Sequence, residues 1–118
     1  MRYLLLIHDQ ESLFATMAPQ QMEKMMADYG AFSEDLKASG AYKDAARLRP
    51  VASATTVRVR DGKTLSTDGP FAETKEQLGG FYLFEAKDLD AAIEAAAKIP
   101  GARQGSVELR PIMELEGM

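Results

Sequence analysis

The single histidine of the chain follows the apolar residues Tyr3 to Ile7 at the point where a first strand should end. Histidine gains and loses a proton near neutral pH, so His8 is a candidate general acid or base. The end of such a strand opens onto the cleft beside the helices that cover the sheet. The alternative is a structural histidine that bonds to a backbone carbonyl.

A second concentration of reactive side chains lies in residues 68–80, which read DGPFAETKEQLGG. Asp68 is a candidate to orient the histidine or to hold a substrate hydroxyl, and the alternative is an Asx turn closed near Pro70. Glu73 and Lys75 supply a general base and a cation for an anionic substrate. Their alternatives are a solvated charge cluster or salt bridges to a partner subunit.

Three further residues are candidates for substrate contact. Phe71 either lines a pocket or fills the core. Tyr29 lies on the apolar face of a predicted helix, from which its hydroxyl can reach a cleft. Arg110 either binds a carboxylate ligand or pairs with a glutamate. Together with His8, Asp68 and Glu73, these side chains predict cofactor-independent acid–base chemistry on a small molecule.

Composition narrows the classes of function. The 118 residues include 14 Lys and Arg against 18 Asp and Glu, a formal net charge of -4, which disfavours direct nucleic-acid binding. The chain has no cysteine, and its one histidine gives no ligand spacing for a metal site. Neither a P-loop nor a GxGxxG motif is present, so the sequence predicts no cofactor.

The lengths of the apolar runs indicate where in the cell the protein is expected. The first apolar run stops at His8, which is too short for the core of a signal peptide. No stretch approaches the roughly 20 apolar residues of a membrane helix. We therefore expect a soluble cytoplasmic protein that forms one domain over residues 1–118.

Hydrophobic periodicity, together with Gly and Pro residues, predicts the helices and strands that place these side chains. The first half of the chain predicts a strand at residues 3–7, a loop at 9–18, a helix at 19–39 capped by Gly40, and a weak strand at 41–48. The second half predicts a hairpin at 55–67 around Asp61-Gly62, a strand at 81–86, a helix from Leu89 to about Ile99 capped by Asp88, and a strand at 106–112. In the second helix, Leu89, Ala92, Ile93 and Ala96 are expected to face inward, and Gly30 of the first helix is expected to pack closely against a neighbour.

Without the hairpin, this order is βαββαβ, the ferredoxin-like pattern of an α+β fold. Two helices cover one face of such a sheet, yet the strands at 3–7 and 81–84 are apolar on both faces. A second copy of the chain would cover the other face, which predicts a homodimer whose two sheets form an α+β barrel. The alternative is a monomer whose long loops cover that face.

The run DGPFAETKE at residues 68–76 resembles the motif that names the DGPF group of the YCII-related proteins. The resemblance extends to YGAF at 29–32, ATTVR at 54–58, GGFY at 79–82, LDAA at 89–92 and GSVELRP at 105–111, and so covers nearly the whole chain. It implies a ferredoxin-like fold assembled as a dimeric α+β barrel. Some relatives resemble partners of alternative sigma factors, which implies a second function, a non-catalytic ligand-binding or regulatory module acting through protein partners.

Some YCII-related proteins carry a His–Asp pair proposed to be catalytic, and this sequence departs from it. The histidine position falls near Asp28 or Tyr29, and the aspartate position falls within residues 98–101, which contain no carboxylate. A mechanism based on that pair therefore does not transfer. A third alternative is that the DGPF segment is structural and locks a dimer.

Overall fold

The computed structural model describes residues 1–115, which form six strands and three helices. The strands are β1 (Arg2–Asp9), β2 (Tyr42–Arg47), β3 (Thr55–Arg60), β4 (Lys63–Asp68), β5 (Gln77–Glu85) and β6 (Ser106–Pro111). The helices are α1 (Ser12–Ala15), α2 (Pro19–Ala38) and α3 (Leu89–Ala97), and 3-10 turns occupy Val51–Ser53 and Pro100–Arg103.

Four strands form one antiparallel sheet in the order β2-β5-β1-β6. The two central strands, β1 and β5, are the most apolar, and each is flanked by a partner on both sides. This order, with α2 after β1 and α3 after β5, is that of a ferredoxin-like α+β fold. The predicted fold class is confirmed.

The core lies between one face of this sheet and the two long helices. Alternation along β1 buries Tyr3, Leu5 and Ile7, and their exposed fractions are 3%, 0% and 5%. Tyr82 and Phe84 continue this layer on β5. The helices contribute Phe32, Leu36, Ala92 and Ala96, and Ile99, which follows α3, completes the layer.

The helix ends follow the predicted signals closely. Pro19 begins α2. After its last residue, Gly40 has a φ of 79°, the Gly40 amide donates to Lys37 O, and the Ala41 amide donates to Leu36 O. These two bonds form a Schellman motif. At the start of α3, Asp88 Oδ1 accepts from the Ala91 amide at 2.8 Å, so the predicted cap is confirmed.

On the opposite sheet face, here called the open face, no helix of residues 1–115 is packed. Its apolar strip pairs Leu4 with Leu83 and Leu6 with Phe81 in the strand register, and all four side chains are half-buried. The expectation that two helices leave one apolar face uncovered within a single chain is therefore met.

The hairpin β3–β4 is a separate two-stranded sheet, here called the arm. At its tip, Asp61 and Gly62 have φ values of 52° and 73°, the conformation that a type I′ hairpin turn requires. The predicted hairpin and its turn are confirmed, with the second strand extended to Lys63 and Asp68.

Four local expectations are wrong. The loop predicted at 9–18 contains the short helix α1, and β5 begins at Gln77 rather than Phe81. In α3 only the alanines of the expected inward set are buried, since Leu89 and Ile93 are 51% and 50% exposed. Gly30 has no atom within 4 Å of the position a Cβ would take, so close packing does not explain it.

No helix within residues 1–115 is both long and apolar enough to cross a membrane.

Candidate functional site

A cleft of about 930 Å³ opens on the helix-covered side of the sheet, between α2 and the ends of β1, β2 and β5. Its walls are largely apolar, and its polar groups are few. The residues used below are Ile7, Asp9, Glu11, Met25, Met26, Tyr29, Arg47, Arg49 and Gly79. A mostly apolar cleft with a few converging polar groups is typical of a small-molecule site.

Asp9 is the acidic group at the inner end of the cleft. As the last residue of β1, it lies two positions after the buried Ile7 and therefore points to the same side of the sheet. Partial burial raises the pKa of its carboxyl above the ordinary value of 3.8, and the charge of Glu76 adds to this, while His8 and Arg47 oppose it. A carboxyl in this environment is a candidate proton carrier.

Tyr29 projects from the middle of α2 towards the same point. Burial, followed by the negative charge of Asp9, raises the pKa of Tyr29 to about 12, although a backbone contact with Gly101 works in the other direction. The phenol therefore stays protonated at neutral pH and can donate a hydrogen bond. Of the residues predicted to contact a substrate, Tyr29 is the one that lines this cleft.

Two glycines allow these groups to converge. A Cβ at Gly101 would lie 2.6 Å from Tyr29 Oη and 3.4 Å from Asp9 Oδ1, so both oxygens pass close over this glycine. At Gly105 a Cβ would lie 2.8 Å from Asp9 Oδ1 and would also collide with the backbone oxygen of His8. A side chain at either position would push the carboxylate or the phenol out of place.

Two arginines provide positive charge at the wall formed by the end of β2. Arg47 acts electrostatically on both Asp9 and Tyr29. Its Nη1 donates to Met26 Sδ at 3.1 Å, and a thioether is only a weak acceptor. Because Arg47 is exposed and its fork carries further donors, it can bind an anionic or oxyanionic group; Arg49 lines the same wall.

Glu11 has a structural task at the cleft edge. Its carboxylate accepts from the Val51 amide at 2.9 Å, and its own amide donates to Gln77 Oε1 at 2.9 Å. These bonds tie the segment after β1 to the turn before β3 and to the start of β5. They hold the mouth of the cleft in place.

The structure places His8 on the open face, away from this cleft. Its Nε2 lies 3.4 Å from Glu108 Oε1 on β6, and Arg110 Nη1 lies 3.3 Å from Glu108 Oε2. Arg110 thus has the glutamate partner that was one of its two predicted alternatives. His8 and Arg110 share one face through Glu108, but neither lines the cleft.

The four predicted site residues of the DGPF segment are all exposed. Asp68 pairs with Thr55 at the base of the arm, and Phe71, Glu73 and Lys75 lie in the connection to β5. Phe71 is 81% exposed, so the expectation that its ring fills the core of its own chain is wrong. The described chain does not bring these side chains to His8 or to the cleft, and their functional roles stay predictions.

The sequence analysis missed Asp9 and Arg47. A signal for Asp9 was available in the alternation of β1, because Leu5 and Ile7 face the core and residue 9 has the same parity. The alternation was overlooked because the neighbouring His8 is the more obvious reactive side chain. Arg47 gave no comparable signal, because its importance depends on the packing of β2 beside β5 and under α2. Within residues 1–115, no group of three or more His, Asp and Glu side chains is arranged to hold a metal ion.

Comparison with known proteins agrees with this architecture. The profile of the YCII-related domain matches residues 1–116. An uncharacterized protein of Rhizobium meliloti (strain 1021) is 39% identical over 114 residues, which is 95% of this chain and 92% of the relative.

One solved structure has a similar fold over almost its whole length. It is the 5-chloro-2-hydroxyhydroquinone dehydrochlorinase of Burkholderia phenoliruptrix AC1100 in complex with 2,5-dihydroxybenzoquinone. The TM-score is 0.54, the identity is 16%, and the match covers 98% of this chain and 97% of the other. At this identity the similarity concerns the fold.

Proposed function

This chain belongs to the YCII-related family, and on that premise we propose that its cleft binds a small hydroxylated or keto compound and catalyses proton transfer without a cofactor. The observation that carries the proposal is the Asp9 carboxyl, whose pKa is raised by burial at the inner end of an apolar cleft. A dehydrochlorinase that binds a dihydroxybenzoquinone shares the fold, so this architecture accommodates small oxygenated rings.

Asp9 is the proposed general base. Its raised pKa makes the carboxylate a stronger base than an exposed aspartate, and in its ionised form it accepts a proton from an acidic C–H or O–H. The proton moves to Asp9 Oδ, and the electron pair of the broken bond moves onto the oxygen of the bound compound.

Tyr29 and Arg47 are proposed to stabilise the oxygen that receives this charge. Tyr29 remains protonated and donates a hydrogen bond from Oη, which lies with Asp9 Oδ1 over Gly101. Arg47 adds a positive charge whose field already reaches both groups. Hydrogen-bond donors that are held in place before the reaction stabilise the developing negative charge more than mobile water molecules do.

The test uses a panel of hydroxylated aromatic acids, 1,3-diketones and 2,5-dihydroxybenzoquinone. Compounds that raise the melting temperature are then incubated with the protein in D₂O, and C–H to C–D exchange is followed by proton NMR. We expect Asp9→Asn to slow exchange by about 100-fold or more while binding changes little. Tyr29→Phe should cost about 10-fold to 100-fold.

Two variants serve as controls in this assay. Asp35→Asn removes an exposed carboxylate from α2 and should leave exchange unchanged. His8→Ala tests the role predicted for the histidine from the sequence, and with Asp9 as the base this variant keeps most of its activity. Full exchange in Asp9→Asn, or its loss in His8→Ala alone, contradicts the proposed base.

The alternative function is a ligand-binding or regulatory module that uses the same cleft without catalysis. It predicts compounds that stabilise the protein but undergo no exchange faster than in buffer. In a second form of this alternative the chain acts through a protein partner such as a sigma factor, and a panel in which no compound stabilises the protein would favour that form over ligand binding.

We also propose that the chain is a homodimer in which two open faces pack together. The strip of Leu4, Leu6, Phe81 and Leu83 lies at the centre of that face, and the ion pairs of Glu108 lie at its edge. An apolar centre with a charged rim is the usual composition of an interface. Leu6→Glu should then give a folded monomer.

A further inference from the structure

The arm carries the clearest unexplained feature of the molecule. All of its strand residues except Thr56 are exposed, and Val57 and Val59 are each 60% exposed. Within residues 1–115, the two arm strands pair with each other, but no other helix or strand packs extensively on either of them. An isolated two-stranded hairpin is marginally stable in water, so an arm of this length needs a surface to pack on.

The two faces of the arm differ in chemistry. The register places Val57 opposite Ser66 and Val59 opposite Thr64, which gives one face without charged groups along its centre. The other face carries Arg58, Arg60 and Lys63, together with Leu65. Charged residues are depleted at the centre of protein interfaces, so the valine face is better suited to contact than the face with three cations.

The dimensions of the chain indicate how much surface is left without a partner. The radius of gyration is 16.4 Å, whereas a compact domain of this length has about 13.5 Å. The exposed surface is 8419 Å², against roughly 6,300 Å² for a compact monomer of this mass. The excess of about 2,000 Å² per chain amounts to about 4,000 Å² for two chains, which is within the total area that obligate homodimers bury.

We propose that the arm is a dimerisation element whose Val57 and Val59 face packs against a second copy of this chain. The proposal extends the proposed homodimer: the open faces form its centre, and each arm reaches across to the other copy. A second copy is the occupant that the dimensions favour, because two identical chains each bring an arm and an uncovered sheet face.

The experiment measures the dimer dissociation constant by sedimentation equilibrium for the full chain and three variants. Val57→Thr with Val59→Thr keeps side-chain shape and strand preference but adds hydroxyls to the contact face, and we expect dissociation to become at least 10-fold easier. The matched control, Arg58→Thr with Arg60→Thr, changes the opposite face and should alter the constant by less than 3-fold. Far-UV circular dichroism verifies that each variant is folded.

The third variant, Leu6→Glu, separates the arm from the open face. If Leu6→Glu gives monomers while the valine variant dimerises normally, the arm proposal is overturned and the face-to-face dimer stands. If the valine variant alone weakens the dimer, the arm proposal stands and the packing of open faces does not. A wild-type chain that stays monomeric at high concentration overturns both.

Discussion

Neighbouring residues of β1 point to opposite faces of the central sheet, and the two faces give their side chains different surroundings. On the helix-covered face, β1 presents Leu5, Ile7 and Asp9, which lead from the core into the cleft. On the open face the same strand presents Leu6 and His8, which lead from an uncovered apolar strip to the ion pair with Glu108. Position on a strand, more than residue type, therefore determines whether a titratable group meets a cavity.

The difference is also one of surroundings. Asp9 lies against glycines, Tyr29 and the cleft wall, where burial raises the pKa of its carboxyl. His8 lies beside a glutamate that an arginine also contacts. One face therefore carries the site that we propose for proton transfer, whereas the other carries the apolar strip and ionic rim that we propose as a dimer interface.

The largest difference between the two faces is expected in the free energy of unfolding after alanine substitutions in β1. Leu5→Ala should lower the free energy of unfolding by about 3 kcal/mol, because Leu5 is fully buried beneath the helices. Leu4→Ala on the open face should cost less than about 1 kcal/mol in a dilute monomer. Urea titrations at two protein concentrations measure both values.

The concentration dependence sharpens this comparison. If the open face is an interface, the cost of Leu4→Ala rises with protein concentration, while that of Leu5→Ala does not. Equal costs for the two leucines in dilute protein would mean that both faces are covered within one chain.

A smaller effect is expected from Asp9→Asn, as a pH-dependent gain in melting temperature. The folded protein holds the Asp9 proton more tightly than the unfolded chain does, because burial raises the pKa. The stabilising contribution of the protonated Asp9 carboxyl is therefore fully present below the unfolded pKa of about 3.9. It is lost as the pH rises through the pKa of the folded protein. The variant should melt a few degrees above wild type at about pH 7 and match it at about pH 3.

Scanning calorimetry from acid to neutral pH measures this difference, with Asp35→Asn as the exposed control. A difference for Asp9→Asn that stays constant with pH would show that the carboxyl is not destabilised by burial. The same raised pKa places the acidic limb of the rate profile above that of an ordinary aspartate.

The smallest effect is expected at the ion pairs of the open face. Glu108→Gln removes the charge that faces both His8 and Arg110, yet these side chains are partly exposed. Exposed ion pairs contribute little, so unfolding of the dilute monomer should change by less than about 0.5 kcal/mol. A loss above about 2 kcal/mol in urea titration would indicate a buried network on this face instead.

Much of the fold was predictable because its signals are local. Pro19, Gly40, Asp88 and the Asp61-Gly62 turn act through their immediate neighbours, and each has the conformation or contact expected of it. The errors have a different origin. Leu89 and Ile93 follow a helical period, but α3 is short and only its alanines fit against the sheet, so larger side chains on its flanks stay exposed.

The candidate site was predictable only in part. Tyr29 was identified because the apolar face of α2 gave its direction, and that direction depends on the helix alone. The DGPF segment drew attention by its composition, but composition does not show where a connection lies relative to a cleft. Phe71 illustrates this, since its aromatic ring is exposed and not packed in the core.

The order of elements, the helix ends, the hairpin and the two apolar sheet faces could be read from the amino-acid sequence, because these depend on residues close together in the chain. The alternation of β1 also gives the side of the sheet on which Asp9 lies, but its approach to Tyr29 in a cleft depends on tertiary packing. Gly101 and Gly105, more than 90 residues after Asp9, leave room there for its carboxylate. Contacts between such distant residues arise from packing, and no local pattern encodes them.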